Sequence, residues 1–211
     1  MDNKKSLTYW QSKAESNPTI KASKVSDIND FSDYDRDFIL NYADENTKIL
    51  DLAAGTGITL NKYYDKVKFI TAVEKFKQFS EFIVKSSNIE VINSDIMLFE
   101  PECTYDLILM FGVTHYFNRA ESEFLYKKYK KVLNKNGKLI IKHQFGLKED
   151  VTVEGYSEEL KCNYFSQYRH IDAEAELLKS IGFKTIEVID IYPKECNRWE
   201  NTHFYAIVAA V

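Results

Sequence analysis

Ile49-Leu50-Asp51-Leu52-Ala53-Ala54-Gly55-Thr56-Gly57 is the stretch that decides the fold. From Lys48 to Leu52 it is a short apolar run of the kind buried inside a parallel sheet. It passes without a break into a turn built of small residues. A helix is expected to follow over Ile58 to Tyr64. A strand, a glycine turn and a helix start bring bare backbone close to a ligand.

Working outward, the same unit repeats. Lys68 to Val73 reads as strand two and ends at Glu74, 23 positions after Asp51. Phe76, Phe79, Phe82 and Ile83 then recur at helical spacing. Ile89 to Ile92 is strand three, ending near Asp95. Asp106 to Phe111 is strand four, with Gly112 at its end. Residues 119 to 133 are an amphipathic helix that stops at Asn134-Lys135-Asn136-Gly137, where glycine tolerates positive φ. Lys138 to His143 is strand five, Asp172 to Ile181 a helix stopped by Gly182, Phe183 to Tyr192 strand six and His203 to Val211 strand seven. Upstream, Phe31 to Tyr42 has helical spacing.

Strands alternating with helices give an α/β fold with a parallel sheet. Strands six and seven are joined by about ten polar residues, too few for a crossover helix, so they pair antiparallel. The expected architecture is a Rossmann-like, doubly wound, seven-stranded sheet, mostly parallel with an antiparallel last strand. It is read as a single domain over residues 1–211. Residues 1–34 form a polar N-terminal arm, and residues 147–170, rich in tyrosine and charge but without clear periodicity, form a lid insertion.

Composition narrows the classes. Only 7 Gly and 3 Pro occur among 211 residues, which excludes collagen-like and Gly/Pro-rich disordered chains. With 28 basic and 32 acidic residues the net charge is -4, so no whole-protein field attracts nucleic acid. The 3 cysteines are far apart and form no C-x-x-C, so neither a zinc site nor a disulfide framework is expected. No metal site is expected. The N-terminus lacks an apolar signal region, and the longest apolar run, Leu107 to Val113, is far short of the ~20 residues that span a bilayer. A cytoplasmic protein without a membrane partner is expected.

In an open α/β sheet the ligand lies beyond the carboxyl ends of the strands, where strand order reverses. Glu74 there suits the two hydroxyls of a ribose. The dinucleotide fingerprint G-x-G-x-x-G fails, because Leu60 stands at its third glycine. The stretch Ile49 to Gly57 resembles instead the first motif of class I S-adenosylmethionine-dependent methyltransferases, with Ala53 in place of the first glycine. The resemblance extends to Glu74 as the ribose acid, Asp95 as the adenine acid with Ile96 or Met97 beside the ring, the fourth strand to Phe111, and the antiparallel ending. It implies S-adenosylmethionine as cofactor, S-adenosylhomocysteine as product, and a cofactor site of Asp51, Ala53, Gly55, Gly57, Glu74, Lys75, Asp95, Ile96 and Phe111.

Methyl transfer from a sulfonium is an in-line displacement, so the protein chiefly positions and desolvates its partners; a hydroxyl acceptor also profits from a base. His115, after strand four, and His143, ending strand five, stand on the ligand edge and are the catalytic candidates. The turn between strands six and seven contains Asn197, Arg198, Trp199 and His203, with Arg198 suited to an anionic or hydroxyl-rich acceptor and Trp199 to stacking on a ring. Tyr9 and Trp10 of the arm, Tyr116, and Tyr168 and Arg169 of the insertion complete the expected acceptor site.

Phe111-Gly112-Val113-Thr114 lacks the Asn/Asp-Pro-Pro-aromatic motif typical of enzymes that methylate exocyclic amines of nucleic-acid bases. The lysines between Lys127 and Lys138 read as a solvated helix face. Tyr9-Trp10, Ser16 to Lys21, and Asn197 to Tyr205 resemble small bacterial methyltransferases of surface polysaccharide biosynthesis. That resemblance implies a small-molecule acceptor: a sugar, a sugar nucleotide or a related polysaccharide precursor. The alternatives are an RNA methyltransferase, a non-catalytic binding module with the same fold, and a nicotinamide oxidoreductase. The acceptor atom and the oligomeric state, monomer or dimer, stay open.

Overall fold

In the computed structural model, which describes residues 4–16, 18–24, 30–157, 162–197 and 199–211, the quoted stretch forms β1 (Lys48–Leu52) and its turn. β1 pairs in parallel with β2 (Phe69–Glu74) on one side and with β4 (Tyr105–Phe111) on the other. β3 (Ile89–Asn93) extends the sheet beyond β2, and β5 (Leu133–Gly146) beyond β4, both in parallel. The chain then closes with α5 (Ile171–Ser180), β8 (Thr185–Asp190) and β9 (Thr202–Ala210). β9 runs antiparallel between β5 and β8, giving the order β3-β2-β1-β4-β5-β9-β8. The order reverses between β1 and β4, which is where a doubly wound sheet places its ligand.

Alternating side chains feed two cores. Leu50, Ile108 and Ile141 pack on α5 and on α4 (Arg119–Lys130), and Ile49, Leu107 and Ile140 pack on α2 (Ser32–Leu40). Apolar side chains on both faces explain why β1 and β4 read as unbroken apolar runs.

Four local expectations are corrected. Residues 58–64 form no α-helix but two 3₁₀ turns, Leu60–Lys62 and Tyr64–Lys66. Ile58 and Thr59 are β-branched, and Asn61 instead pins the 82–84 segment, donating to Phe82 O at 2.9 Å and accepting from Val84 N at 2.9 Å. After β2 only one helical turn forms, α3 (Lys77–Ser80). β5 already begins at Leu133, with an irregular register against β4, and the positive φ of that turn (68°) falls on Asn136 rather than Gly137.

Residues 147–170 are not irregular. β6 (Val151–Ser157) and β7 (Cys162–Tyr168) make an antiparallel hairpin outside the main sheet. Its apolar alternation is hidden because the polar Ser166 is buried between Tyr164 and Tyr168, while Phe165 on the other face is buried too. The arm contains a helix, α1 (Lys4–Glu15), anchored on this hairpin by the Ser6 hydroxyl, which donates to Phe165 O at 2.7 Å.

Candidate active site

At the carboxyl ends of β1, β2, β4 and β5 lies a cavity of about 630 Å³. Its floor is the turn after β1, where Ala53, Gly55 and Gly57 all take positive φ (63°, 59° and 69°). That backbone turns sharply, and its Ala54, Gly55 and Gly57 amides are held by Val73 O, Glu74 Oε2 and Ala54 O. A side chain on Gly55 would meet Ser23 of the arm at 2.6 Å, whereas one on Gly112, which also lines the cavity, would meet nothing within 4 Å.

The Glu74 carboxylate is 5% exposed. Oε2 accepts the Gly55 amide at 2.9 Å and Oε1 the Phe76 amide at 2.8 Å. A carboxylate offers about four acceptor positions, so the two bonds do not exhaust it. Burial raises the pKa of Glu74 and the backbone amides oppose that rise. Asp51 stands beside it, its pKa pushed up to about 7 by desolvation and then by the Glu74 charge. Asp95 accepts from Met97 N through Oδ1 at 2.9 Å and holds Lys75 Nζ through Oδ2 at 2.8 Å. A nucleoside fits this set: a diol acceptor at Glu74, an apolar wall at Ile96 and Phe111, and acidic groups at Asp51 and Asp95.

The other end of the cavity is aromatic. Trp10, Tyr116, Tyr164 and Tyr168 line it, with His115 stacked on Tyr168 at 5.5 Å. The His115 and His143 rings lie 5.2 Å apart. His143 Nδ1 is engaged by Gln144 O, while Nε2 is buried without a hydrogen-bond partner among the described residues. Desolvation, and then the Arg169 charge, push its pKa down to about 3, so it is neutral at ordinary pH.

The structure therefore gathers eight of the nine expected cofactor residues on one cavity: Asp51, Ala53, Gly55, Glu74, Lys75, Asp95, Ile96 and Phe111. Gly57 only turns the backbone beneath it. Of the expected acceptor residues, Trp10, His115, Tyr116, His143, Tyr168 and Asn197 line the cavity. Four do not. Arg169 is 2% exposed and spent on structure: Nε and Nη2 each reach a Glu174 oxygen at 2.7 Å, and Nη1 donates to Thr114 O and Phe117 O. It bolts the loop after β4 to α5. His203 has both ring nitrogens engaged, with Asp190 Oδ1 at 2.6 Å and Asn197 Oδ1 at 3.0 Å. Trp199 braces the cavity from behind, donating to Tyr168 Oη at 3.2 Å. Tyr9 backs Trp10 edge-on at 5.0 Å. Arg198, and Asn17 of the arm, lie outside the described residues.

Sequence reasoning missed a buried triad on the same cavity. Lys142 Nζ contacts Asp35 Oδ2 at 2.6 Å and Tyr192 Oη at 2.7 Å, and Tyr192 donates to Asp35 Oδ1 at 2.5 Å. One signal was present: a lysine inside the apolar strand Leu139-Ile140-Ile141-Lys142, where charge is rarely buried without a partner.

Residues 49–137 match the family model of a methyltransferase domain. That match spans the glycine turn, Glu74, Asp95 and all of β4, the segments that build the nucleoside end of the cavity. Over those residues the chain is similar to a methyltransferase domain.

A search of the curated proteins finds no match to this chain. Among solved structures it is similar to DhpI in complex with S-adenosylhomocysteine (TM-score 0.75, 14% identity, 99% of this chain and 96% of that one). It is similar to an S-adenosylmethionine-dependent methyltransferase of Leishmania major (0.72, 18%, 96% and 83%). It is also similar to the Haemonchus contortus phosphoethanolamine N-methyltransferase 1 in complex with phosphoethanolamine and S-adenosylhomocysteine (0.73, 15%, 100% and 49%). At these identities the likeness is one of fold. Among the described residues no helix is long and apolar enough to cross a membrane, and no group of metal-ligating side chains occurs.

Proposed function

We propose that this methyltransferase acts on a small polar acceptor, a sugar, a sugar nucleotide or a related precursor of a surface polysaccharide, bound at the aromatic end of the cavity. Bound S-adenosylmethionine supplies an activated methyl group on a sulfonium. The chain holds that cofactor through the turn at Ala53 to Gly57, the diol acceptor Glu74, the acids Asp51 and Asp95 with Lys75, and the apolar walls Ile96 and Phe111.

The observation that carries the acceptor reading is His143 Nε2, a bare acceptor atom buried among ring faces. With Nδ1–H donated to Gln144 O, Nε2 accepts a hydrogen bond from an incoming hydroxyl or amine and fixes the direction of its lone pair. This revises the expectation of a general base. A ring whose pKa lies near 3 positions the nucleophile rather than storing its proton. His115 supports the ring, and Trp10, Tyr116 and Tyr168 offer flat apolar faces and hydroxyls, a combination suited to a sugar ring. Helix α1 brings Trp10 to this end and the β6–β7 hairpin brings Tyr164 and Tyr168, an arrangement that supports a covering role for the two segments.

The test is transfer of tritium from methyl-labelled S-adenosylmethionine into sugars, sugar nucleotides, small phosphorylated compounds, small amines and RNA. Label in a sugar or sugar nucleotide is expected. Label in RNA alone overturns the acceptor assignment.

A further inference from the structure

We propose that Asp35, Lys142 and Tyr192 form a second polar subsite of the cavity, one that takes a neutral vicinal diol of the acceptor. The proposal rests on the methyl-transfer reading above and narrows its acceptor to a molecule with adjacent, uncharged hydroxyls.

All three side chains line the cavity and all three are buried. They form a closed triangle whose net charge is zero, in which Tyr192 Oη accepts from Lys142 and donates to Asp35. The triangle does not exhaust its members. An ammonium has three donors, and Lys142 has two oxygen partners among the described residues. The Asp35 carboxylate has about four acceptor positions, and each oxygen is used once by the triad. A spare donor thus lies close to spare acceptor positions, which is what two neighbouring hydroxyls require.

The surroundings suit the rest of such a ring. Phe31 stacks on Tyr192 at 4.3 Å, Phe204 lies 5.1 Å from Tyr192, and both line the cavity. Those rings offer faces for C–H groups. An anionic group here would meet the Asp35 carboxylate, and a cationic one the Lys142 ammonium, so the pair selects against both. A role in stability alone is a poor reason to keep the triad, since a buried ion pair is commonly replaced by apolar side chains at no loss.

Position links the triad to the chemistry. Lys142 and His143 are consecutive in the last third of β5, and although successive side chains leave opposite faces of a strand, both line the one cavity. A ligand filling that cavity reaches both. His143 orients the hydroxyl or amine that receives the methyl group, and the triad holds the diol farther along the molecule.

The test is calorimetric titration of the S-adenosylhomocysteine-loaded protein with glucose, galactose, the 2-, 3- and 4-deoxyglucoses, glucose 6-phosphate and glucuronate. A neutral sugar is expected to bind, with one deoxy analogue at least fivefold weaker. Lys142→Met and Asp35→Asn are expected to weaken that sugar at least tenfold, with affinity for S-adenosylhomocysteine unchanged within twofold. Lys142→Met, which removes the spare donor, is expected also to abolish the preference against the deoxy analogue. A merely structural triad would leave that preference intact. The subsite is overturned if no neutral sugar binds, if the phosphorylated or acidic sugar binds instead, or if the variants lose S-adenosylhomocysteine affinity. Tritium transfer to an amine that is unaffected by Lys142→Met also overturns it while leaving the methyl-transfer reading intact. Failure of the wild type to bind S-adenosylhomocysteine would strike that reading itself.

Discussion

The Gly55 amide donates to Glu74 Oε2 at 2.9 Å, so the turn after β1 and the acid after β2 are one unit. Residues 19 apart in sequence are joined because parallel pairing puts Leu52 beside Val73 at the strand ends. The bond fixes the carboxylate while leaving lone pairs for a ligand. It also means that a change in either residue disturbs both.

Ala53 occupies a backbone position that favours glycine. Its φ of 63° lies in the left-handed region, which costs an L-residue roughly 1–2 kcal/mol. Glycine removes that strain but loses more entropy on folding, about 0.5–1 kcal/mol. Ala53→Gly is expected to leave stability unchanged or to raise it by up to about 1 kcal/mol. Urea unfolding measures this. A clear loss of stability would show that the Ala53 methyl packs more usefully than its backbone suggests.

Arg169 holds the fold rather than the acceptor. Arg169→Met strands Glu174, which is 1% exposed, and frees the Thr114 and Phe117 carbonyls. A loss of about 3–5 kcal/mol is expected, the range for breaking a buried ion pair from one side. The double variant Arg169→Met, Glu174→Leu should recover much of it. Equal losses in the single and double variants would contradict the account.

The two acids of the site make the ligand-free protein sensitive to pH. Asp51 has a folded pKa of about 7, above its ordinary 3.8, and the pKa of Glu74 is raised as well. For a raised acid the protonated form is the one folding favours. Its contribution is present below pH about 4 and is lost as pH rises through 7. Asp51→Asn is therefore expected to melt higher than the wild type at pH 8, with the difference vanishing near pH 4. Parallel melting curves across that range would refute it.

His143 carries a prediction of the opposite kind. A neutral ring with its pKa near 3 titrates below the working range, so kcat for the identified acceptor should show no inflection from His143 between pH 6 and 9. His143→Phe removes the acceptor atom and should lower kcat about 10- to 100-fold, below the span usual for loss of a true base. A bell-shaped profile whose acid limb disappears in His143→Phe would restore the base mechanism.

Most of the frame was legible in the sequence because buried parallel strands advertise themselves. The runs at Lys48–Leu52 and Tyr105–Phe111 are apolar on both faces, and the glycines and acids stand directly after them. The cover over the site was not legible, for three physical reasons. The hairpin's alternation is broken by buried Ser166. Helix α1 shows only Leu7, Trp10 and Ala14 at helical spacing in a polar stretch. The roles of Arg169 and Lys142 depend on Glu174 and on Asp35, and the second of these partners lies 107 residues away. Side chains that pair across the fold leave no local pattern, so Arg169 reads as an acceptor-site residue and Lys142 passes unnoticed.

The central claim is that Glu74, locked to the glycine turn, holds the ribose of the cofactor. Calorimetric titration with S-adenosylhomocysteine tests it most directly, comparing the wild type with Glu74→Ala. One site is expected in the wild type, with affinity falling at least tenfold in the variant, about 1.4 kcal/mol or more. Circular dichroism establishes that the variant is folded. Unchanged affinity in a folded Glu74→Ala protein would contradict the account.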